Sequence, residues 1–147
     1  REALATFRST PTLSLTETME RTHQALTKTR GAAGAIVELR VAARLVENVG
    51  IGNISMRVVS AAKTKNLVSD NGTLGASVRK VQAYTQPWSE DMLLVMHSDG
   101  LAAQWSLDDY PGLSSRHPSL IAGVLYRDLK RSRDDATVVA VRYIPRP

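Results

Sequence analysis

Apolar residues recur along this chain first with a helical period and then with an alternating one. Ser14-Leu-Thr-Glu17 has the spacing of a capping box, and Leu15, Met19, Thr22 and Leu26 follow on one face. That pattern predicts a helix from Ser14 to about Lys28, closed by the break at Gly31. Pro11 separates it from a short helical start over residues 2–7, and the two are expected to cover one face of a sheet. From Ala32 the period shortens, and segments 35–39, 44–49 and 54–59 read as strands joined by short, antiparallel connections. Segments 66–69 and 78–84 are also expected as strands, around a turn-rich stretch at 70–75. Residues 92–97 form an apolar run dense enough to be covered on both faces. A long irregular connection runs to Gly112. Pro118 then suits the first turn of a helix whose buried stripe is Leu120, Ile121, Val124, Leu125 and Leu129. A Val-rich strand over 136–144 closes the chain. Helices, several strands, one helix and a last strand predict an α+β domain, an antiparallel β-sandwich flanked by helices, with residues 1–147 as one domain and no internal repeat.

Composition removes several function classes. The 147 residues are 43% hydrophobic and 22% charged, ordinary for a globular domain. With no cysteine, disulfides, zinc–thiolate sites and thiol nucleophiles are excluded. This fits a reducing compartment, and a cytoplasmic location is expected. No apolar run approaches the ~18 residues of a membrane span, and no signal peptide opens the chain. The net charge is +5 and the pI about 9.9, but the basic residues are dispersed and the aromatic ones stand singly. Nucleic-acid binding is therefore not expected. Arginine outnumbers lysine, which suits a partner carrying phosphate, because the guanidinium grips two oxygens at once.

Two short stretches carry candidate chemistry. Asp91-Met-Leu-Leu-Val-Met-His-Ser-Asp-Gly100 ends a strand at an Asp-Gly pair, and Arg133-Asp-Asp-Ala-Thr137 introduces the last strand. Each puts a carboxylate on a sheet rim. If the rims face each other, Asp99 and Asp134 can share a hard divalent cation, and oxygen-only ligation suits Mg²⁺ or Mn²⁺ rather than zinc. The plain alternatives are an Asp-Gly turn and surface acids neutralised by Arg131 and Arg133. Gly50-Ile-Gly-Asn53 reads as a hairpin or bulge, or as backbone approaching a phosphate. Arg30 either catches a phosphate or serves as a helix C-terminal cation. Period-two alternation places His97 on the face of Asp99, where it tunes the site or is simply a satisfied histidine. Ser98 has no readable triad.

Met96-His-Ser-Asp-Gly100 and Arg133-Asp-Asp-Ala-Thr137 resemble the closing motifs of the metal-dependent type-2C serine/threonine phosphatases, SpoIIE branch. Gly50-Ile-Gly-Asn-Ile54, Asn71-Gly-Thr-Leu-Gly75, Gln86-Pro-Trp88, Tyr110-Pro-Gly-Leu113, Arg116-His-Pro-Ser-Leu-Ile121 and Thr29-Arg-Gly-Ala-Ala33 resemble the RsbX-like members in particular. The resemblance implies a β-sandwich with outer helices and two Mn²⁺ or Mg²⁺ ions, with attack of an activated water on phosphorus and no covalent enzyme intermediate. It makes Asp99 and Asp134 metal-binding acids. It also implies that Asn53 lines the site without ligating metal. The implied substrate is a phosphorylated STAS-domain protein in a bacterial partner-switching pathway.

The family's first metal motif, Asp-Gly-x-Gly-His-Gly, does not occur in this sequence. Because the chain opens at Arg1 in apparent mid-helix, the expectation is a piece lacking its N-terminal strands and that loop. Two competing functions remain at this stage, a catalytically inactive phosphatase-like scaffold and an anion-binding domain driven by the arginine surplus.

Overall fold

A computed structural model describes residues 1–61, 63–132 and 134–144. Its elements run α1 (Glu2–Ser9), α2 (Leu15–Ala25), β1 (Gly34–Arg40), β2 (Leu45–Ile51), β3 (Ser55–Val59), β4 (Thr64–Asn66), β5 (Gly72–Thr73), β6 (Ser77–Val78), β7 (Tyr84–Pro87), β8 (Leu93–His97), α3 (Pro118–Leu129) and β9 (Val138–Arg142), with short 3-10 turns at Leu107–Asp109 and Leu113–Ser115. The chain packs as two compact units, one of Arg1–Ile54 with Val68–Ser89, the other of Ser55–Leu67 with Glu90–Pro147. The α+β class with antiparallel sheets and attendant helices is as the sequence predicts. Among the described residues no helix is long and apolar enough to cross a membrane.

In the first unit, β1, β2 and β7 form an antiparallel sheet in that order. Helix α2 starts on the predicted capping box. The Ser14 hydroxyl accepts from the Glu17 amide at 3.2 Å, and the Glu17 carboxylate accepts from the Ser14 amide at 3.0 Å. The predicted apolar face is the buried one, Met19 and Leu26 packing with Val49, Ile51 and Leu74. The cover on the sheet is α2 itself. Helix α1 packs on α2, buries no complete side chain and leaves Leu4 and Phe7 exposed. The hairpin between β1 and β2 turns through residues 41–44, where Arg44 adopts a left-handed backbone at φ 52° and its carbonyl accepts from the Trp88 amide at 2.8 Å.

In the second unit, β4, β3, β8 and β9 form a fully antiparallel sheet in that order, with His97 paired to Val138 and Leu93 to Arg142. Strand β8 is buried on both faces, Leu93, Leu94 and Val95 all being inaccessible, as its unbroken apolar run predicts. Helix α3 lies on β9, and Ile121 and Leu125 join Val59, Leu93, Val95 and Leu101 in one core. Each of those two helical side chains stabilises the unit by roughly 1.5–3 kcal/mol through burial.

Several boundaries differ from the sequence expectation. Leu120 is 51% exposed, because it lies a third of a turn off the stripe through Ile121 and Leu125. Residues 79–83 are not in a ladder: Val78, Val81 and Ala83 dip into the first core, so their apolar character records burial rather than strand pairing. The strand expected at 66–69 is displaced to Thr64–Asn66, and the stretch expected as turn at 70–75 contains β5, paired with β6. The closing strand is shorter than residues 136–144, because 134–137 leave the ladder to meet the turn after β8.

Candidate active site

Strand β8 delivers the chain to a tight turn at one end of its sheet. The Leu101 amide donates to the Ser98 carbonyl at 3.2 Å, closing residues 98–101 around Asp99 and Gly100. The segment entering β9 is joined to that turn by its main chain. The Ser98 amide donates to the Thr137 carbonyl and the Thr137 amide to the Ser98 hydroxyl, each at 3.1 Å. The Arg131 amide donates to the Gly100 carbonyl at 2.8 Å. Gly100 is buried against the Asp135 carbonyl and Ala136 so closely that a side chain has no room. Asp99 and Asp134 thus sit on two adjoining segments at one margin of the second unit, both exposed. Arg133, set beside Asp134 in the sequence, lies outside the described residues. Among the described residues no three His, Cys, Asp or Glu side chains converge as a metal cluster.

His97 and Asp99 do not behave as alternating residues on one face. The strand ends at His97, and the turn leaves Asp99 exposed while His97 is only 4% exposed. The histidine is fully satisfied. Its Nε2 accepts the Trp105 indole N–H at 3.1 Å, so the proton sits on Nδ1, which lies 2.9 Å from the Ser98 carbonyl. Burial holds its pKa below the ordinary histidine value, with the bond to Ser98 opposing. Trp105 is fixed from behind by Arg57 on β3. That guanidinium stacks 4.4 Å from the indole centroid and donates to the carbonyls of Trp105 at 2.7 Å and Ala103 at 2.5 Å. Its own pKa is depressed by burial. The sequence signals for this chain of contacts are slight: one arginine inside an apolar strand and one tryptophan in an irregular loop.

Arg30 and Asn53 belong to the first unit. Arg30 is exposed at the end of the turns that follow α2, and α2 itself ends at Ala25, so Arg30 is not in the helix's last turn. Asn53 is exposed on the rim of a shallow depression lined by Ala33, Gly52, Asn71, Gly72 and Thr73. That loop is held by two main-chain bonds and one hydroxyl: the Gly52 amide donates to the Asp70 carbonyl and the Asp70 amide to the Gly50 carbonyl, each at 2.8 Å, and the Ser69 hydroxyl to the Gly52 carbonyl at 2.8 Å. Gly52 is left-handed at φ 90° and lies against Ala33.

No protein-family model matches the sequence, and no curated protein matches it either. Solved structures do. A chain solved for the bacterial stressosome, a modular system adapted to control secondary-messenger signalling, superposes with a TM-score of 0.80 at 23% identity, over 94% of this chain and 72% of that one. RsbX in complex with magnesium superposes with a TM-score of 0.75 at 19% identity, over 94% and 68%. The phosphatase domain of SpoIIE from Bacillus subtilis gives 0.59 at 17% identity, over 100% and 78%. At such identities the likeness speaks for architecture, and the chain has the type-2C phosphatase fold of the RsbX and SpoIIE kind.

Proposed function

We propose that residues 1–147 form one domain of a cytoplasmic, metal-dependent protein serine/threonine phosphatase that acts on a phosphorylated STAS-domain regulator in a bacterial partner-switching stress pathway. The observation that carries the reading is the margin where the Asp99 turn and the Asp134 segment are bonded together in a chain of this fold. The donor chemistry fits Mg²⁺ or Mn²⁺, which are held through one or two carboxylates with water and substrate phosphate completing the shell. Asp99 and Asp134 are the residues that would hold such ions, two being expected in the complete domain. When bound, they supply Lewis acidity that lowers the pKa of a water and offsets charge on the phosphoryl oxygens. The chain's own contribution is to hold two carboxylates exposed on two segments bonded together at a sheet end. Arg30 and Asn53 are assigned to substrate binding, the first as a phosphate fork and the second as an amide donor or acceptor.

The test is phosphate release from a phosphorylated STAS protein in Mn²⁺. Asp99→Asn and Asp134→Asn should each lower the rate by about 10²-fold or more. Full activity in either variant rejects the assigned roles.

The absence of a three-donor cluster among the described residues favours one second reading, a catalytically inactive phosphatase-like scaffold. Calorimetric titration with the unphosphorylated partner separates the two, since a scaffold binds equally well with and without metal.

A further inference from the structure

The contacts running from Arg57 to the Asp99 turn make an unbroken series whose end point is informative. The Ser98 carbonyl that accepts from His97 Nδ1 is the same carbonyl that closes the turn by accepting from the Leu101 amide. The turn that aims Asp99 is therefore clamped on one oxygen from two sides. His97 has no freedom to release it, because Trp105 occupies its other nitrogen and tilts against its ring at a centroid distance of 6.0 Å. Trp105 in turn is held in both its ring and its carbonyl by Arg57, which comes from the neighbouring strand β3 rather than from the loop. A half-buried guanidinium whose two terminal nitrogens go to loop carbonyls, whose face lies on an indole and whose Nε is left unpaired is an expensive way to pin an irregular segment. A simple apolar contact would hold the loop with less cost, but it would not fix the orientation of the Ser98 carbonyl.

We infer that Arg57, Trp105 and His97 form a buttress of positioning residues that presets the Asp99 turn for cation binding. The inference rests on the reading of Asp99 as a metal-binding acid and adds residues which that reading does not use. None of the three touches the reacting atoms. Their effect is on how much order Asp99 must gain when a cation arrives, so it appears in affinity for the ion and not in the chemistry once the ion is bound.

The experiment titrates Mn²⁺ alone into the purified chain, followed calorimetrically, for the wild type, Asp99→Asn and Trp105→Phe. Trp105→Phe keeps a ring under Arg57 but removes the N–H that His97 accepts. The expected result is Mn²⁺ affinity weakened by about 10-fold in Trp105→Phe, with an unchanged far-ultraviolet circular dichroism spectrum and with the turnover number recovered at saturating Mn²⁺. Unchanged affinity in Trp105→Phe, while Asp99→Asn abolishes binding, overturns the buttress and leaves the phosphatase reading standing. Absence of Mn²⁺ binding to the wild type overturns both. Should Trp105→Phe not fold, Arg57→Gln, which releases the loop from its far end and leaves both rings in place, carries the same expectation and the same refutation.

Discussion

Two loops at strand ends, one in each unit, are held by different means. The loop at Gly52 and Asn53 after β2 is fixed by main-chain bonds to Asp70, by the small Ser69 hydroxyl on the Gly52 carbonyl and by the conformation of Gly52. The Asp99 turn after β8 has main-chain bonds too, but it also rests on a relay of three large side chains. A loop of the first kind is specified by its glycines and is indifferent to most side chains around it. A loop of the second kind can be loosened without being unfolded. That graded control is the property wanted where a ligand must be gripped and released.

The sharpest break of this comparison is chemical. Asp99→Asn or Asp134→Asn should cut phosphate release by about 10²-fold, whereas Asn53→Ala should cut it by less than about 10-fold, read as the rate at saturating Mn²⁺. Equal losses in the two loops would erase the distinction. Next in size are the glycines. Gly52→Ala forces a left-handed residue against the Ala33 side chain, and Gly100→Ala drives a methyl group onto the Asp135 carbonyl. Each should cost about 2 kcal/mol in urea unfolding. Only Gly100→Ala should also weaken Mn²⁺ binding.

Smallest is the cap on α2, which shares no hydrogen bond with either loop. Ser14→Ala should lose about 1 kcal/mol. The Ser14 hydroxyl and amide hold the Glu17 pKa below 4.5, so the carboxylate's part of the cap is complete above pH 4.5 and vanishes as pH falls through the lower folded value. Acid titration of stability should therefore be flatter in Ser14→Ala than in the wild type below pH 4.5, with phosphatase activity at neutral pH unmoved.

Much of the fold was legible because its signals are local. The capping box at Ser14–Glu17, the helical face of Met19 and Leu26 and the unbroken apolar run of β8 each describe one element without reference to another. Errors arose where burial and pairing part company. Val78, Val81 and Ala83 are partly buried, yet have no ladder beyond Val78, since a run of inward-facing apolar positions does not state which strand lies alongside. The two acids proposed for the site rest on short-range patterns, an Asp-Gly pair after a strand and an Asp-Asp pair before one. The contacts behind the Asp99 turn carry no such pattern. Arg57 and Trp105 lie 48 residues apart, and their meeting depends on strand order.

The left-handed Arg44 in the β1–β2 hairpin has a practical consequence for anyone wishing to handle this chain. A residue with a side chain in that backbone region forfeits about 1 kcal/mol that glycine would not. The Trp88 amide bonds only to the carbonyl there, which any amino acid supplies. Arg44→Gly is accordingly a site where thermal tolerance can be engineered upward.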